Sequence, residues 1–116
     1  MTKLKSRIAT GPDGSELTVF LHGRIKDYGW FLVDSGNLDV VLVSHHFADT
    51  IINDSTTSTN IWESEFTLNN FSSSLTRFRA KEIIYDGVLS EEFMRKWIFT
   101  FELNTNSVWV TPIENP

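Results

Sequence analysis

His45, His46, Asp49 and Asp54 are the one close-set group of imidazoles and carboxylates in the chain, and such groups can hold a divalent metal. On a helix His45 and Asp49 would share a face at i,i+4. A catalytic zinc centre needs three ordered protein ligands and partners behind them, and adjacent histidines on a strand point apart. The group therefore reads as surface histidines beside a loop, with neither metal nor cofactor implied. Glu63 and Glu65 have the look of a paired-carboxylate site, because same-face strand residues stand about 6.5–7 Å apart. Catalytic carboxylates normally come from different strands lining a cleft, so a solvent-facing strand surface is the simpler reading.

Other chemistries find less support. Ser44, Ser55, Ser58, Ser72, Ser73 and Ser74 include no Gly-x-Ser-x-Gly elbow. Gly11, Gly14, Gly23 and Gly29 match neither a phosphate loop nor a dinucleotide fingerprint. The absence of cysteine excludes a disulfide scaffold, a thiol nucleophile and a Cys-built zinc site. Arg77, Arg79 and Lys81 around Phe78 could form a basic, aromatic stripe for single-stranded nucleic acid. The net charge of −5 opposes phosphate binding, so these cations read instead as an ion-pairing strip facing the acidic middle of the chain.

Those acids are concentrated. Residues 1–26 carry a net +3, residues 27–76 carry seven acids and no Lys or Arg, and residues 77–116 carry −1. The middle segment should project a negative field that attracts cationic partners and repels nucleic acid and anionic lipid. A solvated surface that only aids solubility is the plainer alternative.

The elements that would position these residues are mostly strands. Leu4–Thr10 and Glu16–Ile25, joined by Gly11-Pro12-Asp13-Gly14, predict an N-terminal hairpin. Tyr28–Val33 and Leu38–Val43, joined by a turn at Asp34-Ser35-Gly36-Asn37, predict a second. Ser44 is placed to cap a short helix carrying Phe47, Ile51 and Ile52, and Asp54–Asn60 is a polar loop. Ile61–Leu68 alternates as a half-buried strand. Phe71–Tyr85 fits a helix or a strand, and Ile83-Ile84-Tyr85 favours a strand from Thr76 to Tyr85. Ser90 caps a short helix through Lys96 with Glu91–Arg95 and Glu92–Lys96 as i,i+4 pairs. Trp97–Leu103 and Val108–Ile113 complete a terminal hairpin, with Pro112 marking an edge or a strand end. Phe99, Phe101, Trp62, Phe66, Val19 and Leu21 should be buried, and Glu63, Glu65 and Glu102 exposed.

The expected fold is thus mainly β, or α+β if the ambiguous segments are helical. It is a single domain over residues 1–116: an antiparallel β-sandwich or a strongly curved, barrel-like sheet of about seven to eight strands with one or two short helices. No apolar run approaches the roughly 18 residues of a membrane span. The polar start, Met1–Thr10, lacks the apolar block of a signal peptide, so the expected location is the cytoplasm, with no membrane partner. The function expected from these features is non-enzymatic. An acidic surface built from Asp34, Asp39, Asp49, Asp54, Glu63 and Glu65 would occlude a basic protein partner, as an immunity protein neutralises a cationic toxin nuclease. The alternative is a small β-barrel carrier binding an apolar or sugar ligand in a pocket lined by its four tryptophans and nine phenylalanines.

Overall fold

The N-terminal strands show how the chain curls. The computed structural model describes residues 2–10, 17–34, 36–49, 61–68, 74–102 and 104–112. It begins with β1 (Thr2–Leu4), β2 (Ser6–Thr10), β3 (Leu17–Arg24) and β4 (Tyr28–Leu32). Along β3, Val19, Leu21 and Gly23 point inward while Phe20, His22 and Arg24 point out; along β4, Gly29 and Phe31 point inward. The chain continues through β5 (Val41–Val43), α1 (His45–Asp49), β6 (Ile61–Leu68), β7 (Ser74–Ala80), β8 (Gly87–Val88), α2 (Glu91–Met94), β9 (Trp97–Glu102) and β10 (Ser107–Pro112).

Seven strands run in the order β2-β3-β4-β8-β5-β7-β6, and β6 returns to pair with the end of β3 at Gly23↔Leu68 and Arg24↔Thr67. That last pairing closes a six-stranded barrel, the barrel-like alternative expected from the sequence. A Cβ at Gly23 would stand 2.5 Å from the Phe66 ring, so glycine is what lets β3 and β6 meet over that ring. The interior is filled by aromatic side chains. Phe31, Phe66, Phe78 and Phe93 are fully buried, with Phe66 4.7 Å from Phe31, 5.6 Å from Phe78 and 5.2 Å from Phe93 between ring centroids. β1, β10 and β9 form a separate antiparallel sheet whose Leu4, Val108 and Val110 join the same core. Its β9–β10 turn places Asn106 at φ 51°, a conformation asparagine tolerates. Among the described residues no helix is long and apolar enough to cross a membrane.

Both expected helices form. Ser44 Oγ accepts from Phe47 N–H at 3.0 Å at the start of α1, and Ser90 Oγ accepts from Phe93 N–H at 3.3 Å at the start of α2. Ile51 and Ile52 lie outside the described residues. The terminal hairpin pairs in the expected segments, and Pro112 stands at a strand end, although β10 is the central strand of its sheet.

Four expectations are corrected. Tyr28–Val33 and Leu38–Val43 do not form a hairpin: β8 lies between β4 and β5, parallel to the first and antiparallel to the second. The insertion is possible because residue 87 is glycine. A Cβ there would stand 2.3 Å from the buried Phe31 ring and 2.9 Å from the Leu42 carbonyl oxygen. The strand expected to reach Tyr85 ends at Ala80. Its partner β5 ends at Val43, and residues 81–86 must carry the chain across to the β4–β5 gap. The first expected strand divides at Lys5, because its start pairs with β10 and its remainder with β3. Phe101 is 38 % exposed and Phe99 and Trp62 are half-buried, while Phe66, Leu21 and Val19 are buried. β9 is the edge of a three-stranded sheet, so its end projects past the core.

Candidate functional site

The chain leaves β4 at Leu32 and must reach β5 nine residues later without pairing to it. The intervening loop is organised by two side chains. Asp34 Oδ1 accepts from Gly36 N–H at 3.0 Å, and the Asp34 carbonyl accepts from Asn37 N–H at 3.1 Å. This is the aspartate-led turn that the residue types favour. Its carboxylate is held at a fixed place on the surface with Oδ1 engaged by the Gly36 N–H.

Asn37 ties that turn to the rest of the fold. Its Nδ2 donates to the carbonyls of Val40 and Leu89, each at 3.4 Å, and its Oδ1 accepts from Asp39 N–H at 3.1 Å. Its own carbonyl accepts from Glu91 N–H at 3.0 Å, the first residue of α2. Leu89 N–H donates to the Leu32 carbonyl at 2.8 Å, and Val33 N–H donates to the Val19 carbonyl at 2.8 Å. The Asp34 loop is therefore fastened on one side to β3 and on the other to the β8–α2 junction. Asp86, just before β8, accepts from Trp30 N–H at 2.9 Å, and its carbonyl accepts from Ser44 N–H at 2.9 Å. Beside the loop lies a depression of about 290 Å³ lined by Leu38, Glu91, Glu92 and Arg95. Leu38 is 81 % exposed there, and Ile84, in the segment entering β8, is 91 % exposed.

The expected acidic face is only partly assembled. Asp34 is exposed in its loop. Asp39 lies 3.4 Å from Arg79 Nε, an ion pair without hydrogen-bond alignment, since that nitrogen has no hydrogen-bond partner. Glu63 and Glu65 are exposed on β6, and Glu63 stands opposite Arg77 across the strand pair. Arg77 makes a two-pronged ion pair with Glu92. That hydrogen bond raises the guanidinium pKa and lowers that of the Glu92 carboxyl. Of the three cations expected to face the acidic middle, Arg79 meets Asp39 there, Arg77 turns to Glu92 outside it, and Lys81 lies beyond the end of β7. Glu91 pairs with Arg95 as expected, but Glu92 reaches Arg77 rather than Lys96, whose Nζ donates to the Leu75 carbonyl. Asp49 ends α1, and Asp54 lies outside the described residues. His45 and His46 are exposed on α1. Among the described residues no three His, Asp or Glu side chains are grouped to hold a metal ion.

The sequence reading placed Asp34 among surface acids and did not single out its loop. The available signal was an Asp-Ser-Gly run directly after a buried apolar strand, followed within a few residues by Val40–Val43. Asn37 carried no signal of its own, because every group it bonds except the neighbouring loop comes from a segment about fifty residues away.

No protein-family model and no curated protein matches this sequence. The fold is similar to that of a retropepsin-like aspartic protease from Rickettsia conorii, with a TM-score of 0.63, 10% identity, and 96% of each chain covered. At that identity the likeness establishes a shared fold.

Proposed function

We propose that this chain is one half of a carboxylate-dyad peptide hydrolase, with Asp34 as its catalytic carboxylate. The observation that carries the reading is the Asp34 turn, exposed and fastened at the point where β8 passes between β4 and β5. The similarity in fold to a retropepsin-like aspartic protease adds to it.

Two facing aspartates cannot both ionise easily, so they share one proton. The ionised member takes a proton from a water molecule as its oxygen attacks the peptide carbonyl carbon. The protonated member gives its proton to the carbonyl oxygen, producing a gem-diol. Return of a proton to the amide nitrogen then breaks the C–N bond and releases an amine and a carboxylic acid. Among the described residues only one such turn is present, and in this reading a second copy of the chain supplies the second carboxylate. Twofold symmetry brings the same residue to the same axis from both sides. The edge strand β9, with Ile98 56 % exposed and Phe101 38 % exposed, is a suitable surface for that pairing. It follows directly on α2, which is bonded to the Asp34 loop through Asn37.

The occluding acidic surface draws on six acids. Two of them, Asp39 and Glu63, face this chain's own Arg79 and Arg77, so less free charge is on offer than the sequence count implies.

The test is cleavage of a quenched fluorogenic peptide pool between pH 4 and 7 by wild type and Asp34→Asn, with sedimentation to follow association. The expected result is activity per chain that rises with dimerisation and falls at least about 100-fold in Asp34→Asn with the circular dichroism unchanged, as loss of an acid–base group requires. Full activity in Asp34→Asn, or no cleavage by a demonstrated dimer, would overturn the reading.

A further inference from the structure

The outer face of β2, β3 and β4 carries chemistry that peptide hydrolysis does not use. Strand alternation turns Lys5, Arg7, Phe20, His22, Arg24, Tyr28 and Trp30 outward, opposite the buried Leu21 and Phe31. The register places His22 between Lys5 and Trp30, and Arg24 beside Tyr28. The rings form one continuous surface. His22 stacks on Tyr28 with centroids 4.4 Å apart and planes 5° from parallel, and it lies 4.9 Å from Trp30. Cations stand on that surface: Arg7 4.2 Å and Lys5 5.9 Å from the Trp30 centroid, and Arg24 5.6 Å from that of Tyr28.

Among the described residues Lys5, Arg7 and Arg24 form no ion pair, whereas Arg77, Arg79 and Arg95 each have a carboxylate partner. Cations meet aromatic rings about once in 70–80 residues of protein generally; three such meetings on one sheet face make a local positive field on an acidic chain. Two carboxylates stand beside it, Asp27 exposed on the β3–β4 turn and Asp86 accepting from Trp30 N–H, so the three cations outnumber the nearby acids by one. Desolvation first, and then Lys5 and Arg7, lower the His22 pKa, which favours the uncharged ring.

We propose that this face binds single-stranded nucleic acid, with phosphates on Lys5, Arg7 and Arg24 and unstacked bases on Tyr28, His22 and Trp30. An exposed Tyr28 ring and the half-buried His22 and Trp30 rings, interleaved with cations, fit a polymer that presents aromatic faces and regular negative charge. A duplex hides its base faces, and a lipid headgroup offers none to stack. The expectation of repulsion rested on the net charge and on the acidic segment 27–76, whereas Lys5, Arg7 and Arg24 belong to the basic first 26 residues, and pairing of β2, β3 and β4 gathers these three of the ten bases on one face.

The experiment is fluorescence anisotropy of labelled single strands of about 15 nucleotides, beside a duplex of equal length and phosphatidylserine vesicles. The expected dissociation constant is about 10⁻⁴–10⁻⁶ M, that of non-specific binding. With three phosphate contacts, log K should fall with log salt with a slope of about −2, and Lys5→Gln with Arg7→Gln should reduce that slope by about 1.4. Trp30→Leu should weaken binding by roughly 5- to 100-fold with the slope kept, while Trp30→Phe retains most of it. If Trp30→Leu does not fold, the exposed Lys5 and Arg7 variant decides alone. Asp34→Asn should bind as wild type, so this inference stands or falls apart from the hydrolase reading. No binding at 100 µM chain, equal binding to the duplex, preference for the vesicles, or an unchanged salt slope in the Lys5 and Arg7 variant would overturn it.

Discussion

Gly87→Ala tests whether the strand insertion holds the Asp34 loop in place. The added Cβ would stand 2.3 and 2.4 Å from two Phe31 ring atoms and 2.9 Å from the Leu42 carbonyl oxygen. Phe31 is fully buried, 5.7 Å from the Phe47 ring and 4.7 Å from that of Phe66, so the ring has little room to retreat. Overpacking of this kind costs about 1–3 kcal/mol, and a backbone atom among the clashes puts it near the top of that range. The φ at Gly87 is ordinary, so alanine stiffens the unfolded chain without strain and returns about 0.4–1 kcal/mol. The net loss should be about 2–2.5 kcal/mol, roughly 6–12 °C in Tm for a chain of this size. Phe31→Leu alone should cost about 1–2 kcal/mol, less than the 3–5 of full truncation. It also removes the atoms that the new Cβ meets. Additive behaviour would place the double variant near ~4 kcal/mol below wild type; relief of the clash should leave it near ~1–2. Urea denaturation followed by circular dichroism measures all three variants. A loss under about 0.5 kcal/mol for Gly87→Ala, the range of surface changes, would refute the reasoning, as would an additive double variant.

Three further outcomes follow from the same structure. Asn37→Ala should lose about 1–3 kcal/mol in urea denaturation, because the Leu89 carbonyl and the Asp39 N–H lose their partner, and peptide-cleavage kcat should fall more than KM rises. Phe66→Ala should cost about 3–5 kcal/mol, whereas Phe101→Ala, at the exposed end of β9, should cost under about 1 kcal/mol in the monomer and instead weaken association measured by sedimentation. His22 has a folded pKa below its ordinary 6.5, so the unfolded chain takes up the proton more readily. Its contribution is complete above pH 6.5 and is lost as pH falls from there towards the folded value. The urea midpoint of wild type should therefore drop between pH 7.5 and 5 by more than that of His22→Asn.

The local elements were legible in the sequence because local physics makes them. Ser44 and Ser90 cap the helices they precede, Glu91 meets Arg95 one turn on, and Phe66 and Leu68 alternate onto the buried face of β6. The barrel-like curvature and the terminal hairpin were likewise expected from strand patterning and turn residues. What depended on long-range pairing was not legible. Gly87–Val88 is too short and too plain to announce a central strand, and only the space under Phe31 makes it one. That insertion converts Asp34 from one acid among seven in a basic-free stretch into the carboxylate of a fastened turn. Charge shows the same division. The sequence counts its sign along the chain, but a sheet sorts alternate residues onto opposite faces, and strands distant in sequence become neighbours. The non-consecutive pairing of β5 with β7 therefore lets Asp39 meet Arg79, while consecutive strands set Glu63 opposite Arg77 and bring Lys5, Arg7 and Arg24 to one surface with Tyr28 and Trp30. The alternation was written in the sequence; which strands lie side by side was decided by closure of the barrel.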